Sequence, residues 1–156
     1  MKLRVVELLI ITTVPAVVLA EGGFPSLTLL AWTLIGGTLA AGSANAFNMV
    51  IESERDKLMK RTSKRPLVTG AVTRTQATIF AIVIGLLSLA IFYIFTTVLA
   101  TVLTAVAIAY YVVIYTIALK PNTSQNIVWG GAAGCMPVLI GWAAVTNSLT
   151  LVPVAF

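Results

Sequence analysis

N-A-F-N-M-V-I-E-S-E-R-D-K-L-M-K-R-T-S-K-R-P, from Asn45 to Pro66, carries nine of the fifteen charged residues in a chain of 156. Three are acids two apart, Glu52, Glu54 and Asp56; six are bases, Arg55, Lys57, Lys60, Arg61, Lys64 and Arg65. The stretch leaves an apolar segment whose last turns hold Asn45 and Asn48. Polar and ionisable residues at the mouth of a membrane bundle mark a functional site by default.

Outside this stretch the chain is mostly hydrocarbon. With 59% hydrophobic and 10% charged residues, it is not a soluble domain. Crossing about 30 Å of hydrocarbon takes roughly 20 apolar residues, and several such runs are present. They are continuous, unlike the short alternating segments of a membrane β-barrel. The expectation is an all-α, polytopic transmembrane helical bundle forming one domain over residues 1–156. The net charge of +5 sits in loops flanking the spans and gives no nucleic-acid-binding face. The chain has no His and one Cys. That removes imidazole ligands and a disulfide framework; a metal would be held by oxygen, and Cys135 reads as a small packing residue.

Five spans are expected, at about 5–20, 27–51, 75–94, 98–119 and 127–146, the first retained as a helix and the last followed by a further apolar segment. Pro15 and Pro137 are candidate kinks. Gly36, Gly37, Ala40, Ala41, Gly42 and Ala44 give the second span a face that admits a close neighbour, and Gly130 and Gly134 form a second such pair. Trp32, Trp129 and Trp142 read as packing or interface residues, and so do Tyr110, Tyr111 and Tyr115. With this division all ten Lys and Arg fall on one side. The positive-inside rule then makes the N-terminus and the 52–74 loop cytoplasmic.

If the second helix runs on past Ile51, Asn48, Glu52 and Asp56 lie at i, i+4 and i+8 on one face, and Glu54 points elsewhere. Carboxylates on a stripe without His or Cys suit a hard divalent cation; Mg²⁺ takes one or two of them and fills its shell with water and substrate phosphates. Arg61, Lys64 and Arg65 follow within three turns, where they would hold outer phosphate oxygens. The pattern points to a Mg–diphosphate site for a substrate with a hydrocarbon tail. An ordinary charged loop that sets topology is the competing explanation.

These residues also carry a resemblance. Asn48-x-x-x-Glu52-x-x-x-Asp56 resembles the first acidic motif of the UbiA superfamily of intramembrane prenyltransferases. The run Met59 to Leu67, M-K-R-T-S-K-R-P-L, is similar to that of the haem-farnesylating branch, the protohaem IX farnesyltransferases. So are the block Tyr115 to Thr146 and the opening K-L-R-V-V-E-L-L-I-I-T-T-V-P-A. The resemblance covers essentially the whole chain. It differs at Glu52 and Glu54, where the family usually has Asp. It implies nine spans and a second acidic motif near the sixth and seventh, so the chain would correspond to the N-terminal five-ninths, C-terminally incomplete.

The resemblance implies Mg²⁺-dependent transfer of a farnesyl group from farnesyl diphosphate to a vinyl group of protohaem IX, forming haem O, with haem as substrate rather than cofactor. It implies Asn48, Glu52 and Asp56 as catalytic metal ligands. Arg61 and Arg65 would hold diphosphate, with Lys57 and Lys64 as further candidates. Lys120, Thr123 and Asn126 would close over the site from a second cytoplasmic loop. It places the protein in the lipid bilayer of a bacterial cell membrane. A quinone-precursor acceptor and a catalytically inactive membrane fragment are the alternatives, and a homo-oligomer or a partner carrying the remaining spans stays open.

Overall fold

The computed structural model describes residues 3–60, 62–120, 123 and 126–155, and their regular structure is entirely helical. The elements are α1 (Leu3–Glu21), α2 (Leu27–Ile51), two short helices α3 (Ser53–Lys57) and α4 (Pro66–Thr69), α5 (Arg74–Phe95) and α6 (Val98–Ala109). A π-helical segment (Tyr110–Leu119) continues α6 and precedes α7 (Asn126–Thr146) and α8 (Leu151–Ala155).

Among the described residues four helical stretches are long and apolar enough to cross a membrane: Leu27–Ile51, Arg74–Phe95, Val98–Leu119 and Val128–Thr146. The chain is an integral, multi-pass membrane protein. The expected first span is α1, 19 residues long, in which Ile11–Glu21 is the shorter apolar stretch that qualifies. Both α1 and α7 run unbroken through Pro15 and Pro137. Large apolar side chains such as Ile79, Leu86, Ile94 and Val98 face outward, as a lipid-facing surface requires.

Helix ends follow the local sequence. Ser26 accepts from Leu29 N at the start of α2 and Thr97 from Ala100 N at the start of α6. Thr73 and Gln76 form a reciprocal capping box on α5, each satisfying a backbone N–H that the first turn leaves unpaired. Gly70 ends α4 at φ 77°, a left-handed conformation that costs glycine little.

α2 packs most extensively on α5; of the small-residue face expected on α2, Gly36 meets α5, whereas Gly37, Ala40, Ala41 and Ala44 line a cavity. A Cβ on Gly85 would lie 2.8 Å from Ser43 Oγ, and one on Gly36 would lie 2.8 Å from the Phe92 ring. Close approach lets two hydroxyls bridge the helices: Ser43 Oγ donates to Ala81 O and Ser88 Oγ to Gly36 O, both at 2.7 Å. With no hydrophobic drive between helices in lipid, such contacts hold the bundle. α1 lies along α7, where a Cβ on Gly141 would meet Thr13 and Val17 at 3.1–3.3 Å. Thr97 Oγ1 donates to Ala143 O at 2.7 Å, tying the α5–α6 turn to α7.

Two expectations need adjusting. Cys135 is exposed on the outer face of α7, its thiol 3.6 Å from Gly131 O, so it is not packed inside this chain. Gly130 and Gly134 do not act as a pair. Gly130 fits the Tyr115 ring, 2.8 Å from where its Cβ would be, whereas nothing meets Gly134, which lines a cavity. Trp32 stacks on Phe95 at 4.0 Å between ring centroids, a packing role as expected, and Trp129 is half exposed.

Candidate functional site at the polar end of the bundle

The helical stripe exists, with one break. α2 ends at Ile51 and Glu52 departs from helical geometry at φ −88°, ψ 2°. The hydrogen-bond ladder nevertheless continues, from Glu52 N to Asn48 O and from Asp56 N to Glu52 O, both 2.9 Å. Asn48, Glu52 and Asp56 therefore stay on one side, and all three are buried. Glu54 is exposed and bonds Lys57 Nζ at 2.9 Å. Its carboxyl is held below the usual value, first by that hydrogen bond and then by the charge of Lys57.

Buried carboxylates need partners, and each finds a base from a different part of the chain. Arg65 Nη1 is ion-paired to Asp56 Oδ2. Lys120 Nζ is ion-paired to Glu52 Oε1. The loop delivering Arg65 is pinned by Thr62, buried, whose hydroxyl donates to Asp56 O at 2.9 Å. Arg74 closes the other end of the loop, donating to Val50 O at 3.2 Å in the last turn of α2.

Of the candidate diphosphate residues, Arg65 and Lys120 reach the stripe. Lys57 turns to Glu54, and Lys64 is exposed. Arg61 lies outside the described residues. In the 120–126 loop Thr123 N bonds Leu119 O at 3.0 Å, and the Asn126 side chain is outside the described set.

Nothing in the local pattern of residues marks the third partner. Asn48 Nδ2 donates to Thr116 Oγ1 at 3.1 Å, and Thr116 donates in turn to Tyr111 O at 2.9 Å, five residues back. That five-residue span belongs to the π-helical segment. π-turns insert a residue into an α-helix and recur at functional sites. Here the insertion turns buried Thr116 toward Asn48, and Lys120 follows on the same strand of chain. Tyr115 packs beside Tyr111, ring centroids 5.1 Å apart, with Lys120 Nζ 5.9 Å from its ring centre.

Next to this cluster lies an apolar cavity of about 240 Å³. Asn45, one turn from Asn48, and Tyr111 line it; Ala41, Ala44, Ile108 and Gly134 form part of its wall, and Thr33 and Phe92 lie at its far end. The site thus joins a charged head region to an apolar pocket between helices.

Two carboxylates and one amide make an all-oxygen donor set, which fits a hard divalent cation such as Mg²⁺. Each ion pair engages one oxygen of its carboxylate and leaves the other outside the pair. Among the described residues no three Asp, Glu, Cys or His side chains converge. Glu52, Asp56 and the Asn48 amide oxygen are the side chains here that could hold such a cation.

The UbiA prenyltransferase family is matched over residues 9–156, and the chain belongs to it. It is 54% identical over 153 residues to the protoheme IX farnesyltransferase of Clavibacter michiganensis subsp. michiganensis, covering 98% of this chain and 50% of that protein. It is 57% identical over 148 residues to protoheme IX farnesyltransferase 1 of Saccharopolyspora erythraea, 95% of this chain and 47% of the relative. The protoheme IX farnesyltransferase of Streptomyces coelicolor is 53% identical over 153 residues, 98% and 49%. The chain spans about half the length of the curated relatives it matches. No solved structure matches significantly.

Proposed function

We propose that this chain forms the first acidic half-site of a protohaem IX farnesyltransferase, which joins the farnesyl group of farnesyl diphosphate to a vinyl group of haem. The observation that carries the proposal is the placing of Asn48, Glu52 and Asp56, with Arg65 and Lys120, beside an apolar cavity. The relatives' names supply the acceptor.

The allylic C–O bond breaks and its electron pair leaves with the diphosphate. The vinyl group attacks the resulting allylic cation; water then adds to the new carbocation and releases a proton, giving the hydroxyethyl product. The three oxygen donors suit Mg²⁺, which when bound supplies positive charge to the departing diphosphate. Arg65 and Lys120 neutralise the carboxylates in the structure; in this reading they exchange a carboxylate oxygen for a phosphate oxygen when substrate arrives. The apolar wall holds the prenyl chain and keeps water from the cation until the vinyl group has reacted.

The test is farnesyl transfer to protohaem IX by the full-length gene product in lipid nanodiscs, with the product identified by mass. Asp56→Asn is expected to lower the rate about 100-fold, the range seen when even outer-shell metal contacts are lost. Equal rates in wild type and variant would remove the acidic stripe from the mechanism. Transfer to an aromatic acid and not to haem would reassign the acceptor.

A further inference from the structure

We infer that Phe92 is the floor of the cavity and sets the length of prenyl chain the site accepts; this rests on the prenyl-transfer reading above. The cavity follows α2 from Asn45 to Thr33, roughly 18 Å of helix at 1.5 Å per residue. Asn45 is at the charged end. Phe92 comes from the last turn of α5, which runs antiparallel, and lines the opposite end.

The ring is fully buried, at 0% exposure. It cannot retreat toward α2, because its Cε2 already occupies the space left by the missing Gly36 side chain, 2.8 Å from a Cβ built there. The hydrogen bond from Ser88 Oγ to Gly36 O holds the two backbones at that separation. The same apolar cluster contains Ile140 beside the smaller Ala100, Ala143 and Ala144, and Ile140 and Met136 also line the cavity. Among the described residues Phe92 is the largest fully buried side chain, and it is the bulk that stops the cavity. Truncation to alanine removes six ring carbons, against five in one isoprene unit. A chain one unit longer is therefore accommodated by removing one side chain.

The experiment compares prenyl transfer from geranyl, farnesyl and geranylgeranyl diphosphate by the full-length gene product in nanodiscs. Wild type is expected to favour the farnesyl donor. Phe92→Ala should raise kcat/KM for the geranylgeranyl donor relative to the farnesyl donor by about tenfold or more, the scale of discrimination by a few methylenes in an apolar pocket. The change should fall in KM for the longer donor. Phe92→Leu, which keeps the core filled better, should move the ratio the same way by less and covers the case where the alanine variant does not fold. A ratio unchanged in a variant that still transfers farnesyl overturns the floor assignment and leaves the proposed function standing. Wild type that transfers none of the three donors overturns the proposed function, and the floor with it.

Discussion

The amide of Asn48 on α2 donates to the hydroxyl of Thr116 in the π-helical segment at 3.1 Å, 68 positions along the chain. This bond holds the second span to the fourth at the level where the acids begin. It also orients the Asn48 carboxamide, because the Nδ2 end faces Thr116 and the Oδ1 end is left for another partner.

Thr116→Val keeps the shape and removes the acceptor, leaving a buried amide N–H unpaired. A loss of about 1–3 kcal/mol is expected. Thermal unfolding in detergent measures it. The same variant should weaken Mg²⁺ binding, read by competition with Mn²⁺ in electron paramagnetic resonance. Unchanged stability and unchanged Mn²⁺ affinity together would mean that the bond does not orient Asn48.

The Asp56–Arg65 pair joins a carboxylate of 2% exposure to a partly buried guanidinium. Removing Arg65 alone strands a buried charge, a loss of about 3–5 kcal/mol. Arg65→Gln combined with Asp56→Asn removes both charges. The double variant is expected to be more stable than Arg65→Gln, while prenyl transfer stays low. A double-mutant cycle on unfolding midpoints gives the coupling; additive effects would show the pair to be energetically idle.

Glu54 and Lys57 form the exposed counterpart. The folded-state pKa of Glu54 lies below its ordinary 4.5. Its contribution to stability is therefore complete above pH 4.5 and disappears as the pH falls through the lowered value. Glu54→Gln should be slightly less stable than wild type at pH 7 and equal to it in strong acid. The difference should shrink with added salt, since exposed pairs are screened. Farnesyl transfer by Glu54→Gln is expected to stay within about twofold of wild type, because single surface contacts of this kind are weak. A large rate loss would bring Glu54 into the site.

Gly85 lies against Ser43, whose hydroxyl is committed to Ala81 O at 2.7 Å. Gly85→Ala puts a methyl 2.8 Å from that oxygen. Either the bond breaks or the helices part, a loss of about 1–3 kcal/mol. Adding Ser43→Ala should recover part of it, because the methyl then meets a smaller neighbour. Unfolding of the two variants side by side checks this; no recovery would place the strain elsewhere.

Hydropathy and helical period are local properties, and what they encode was legible from the chain alone. The runs of about twenty apolar residues mark the long spans, and Asn48, Glu52 and Asp56 share a side because four residues make about one turn. The outward direction of Glu54 follows from the same period. What each buried carboxylate pairs with does not. Arg65 and Lys120 are two of several bases nearby, and the choice between them and Lys57 or Lys64 depends on the Thr62 anchor and on how the fourth span returns beside the second. The π-helical register that turns Thr116 inward has no signature in hydropathy, since all of Tyr110–Leu119 is apolar or nearly so. Nor does hydropathy tell an inner apolar face from an outer one when lipid is as apolar as the core. That is why Cys135 faces outward and Phe92 ends a cavity only once the helices are set against each other.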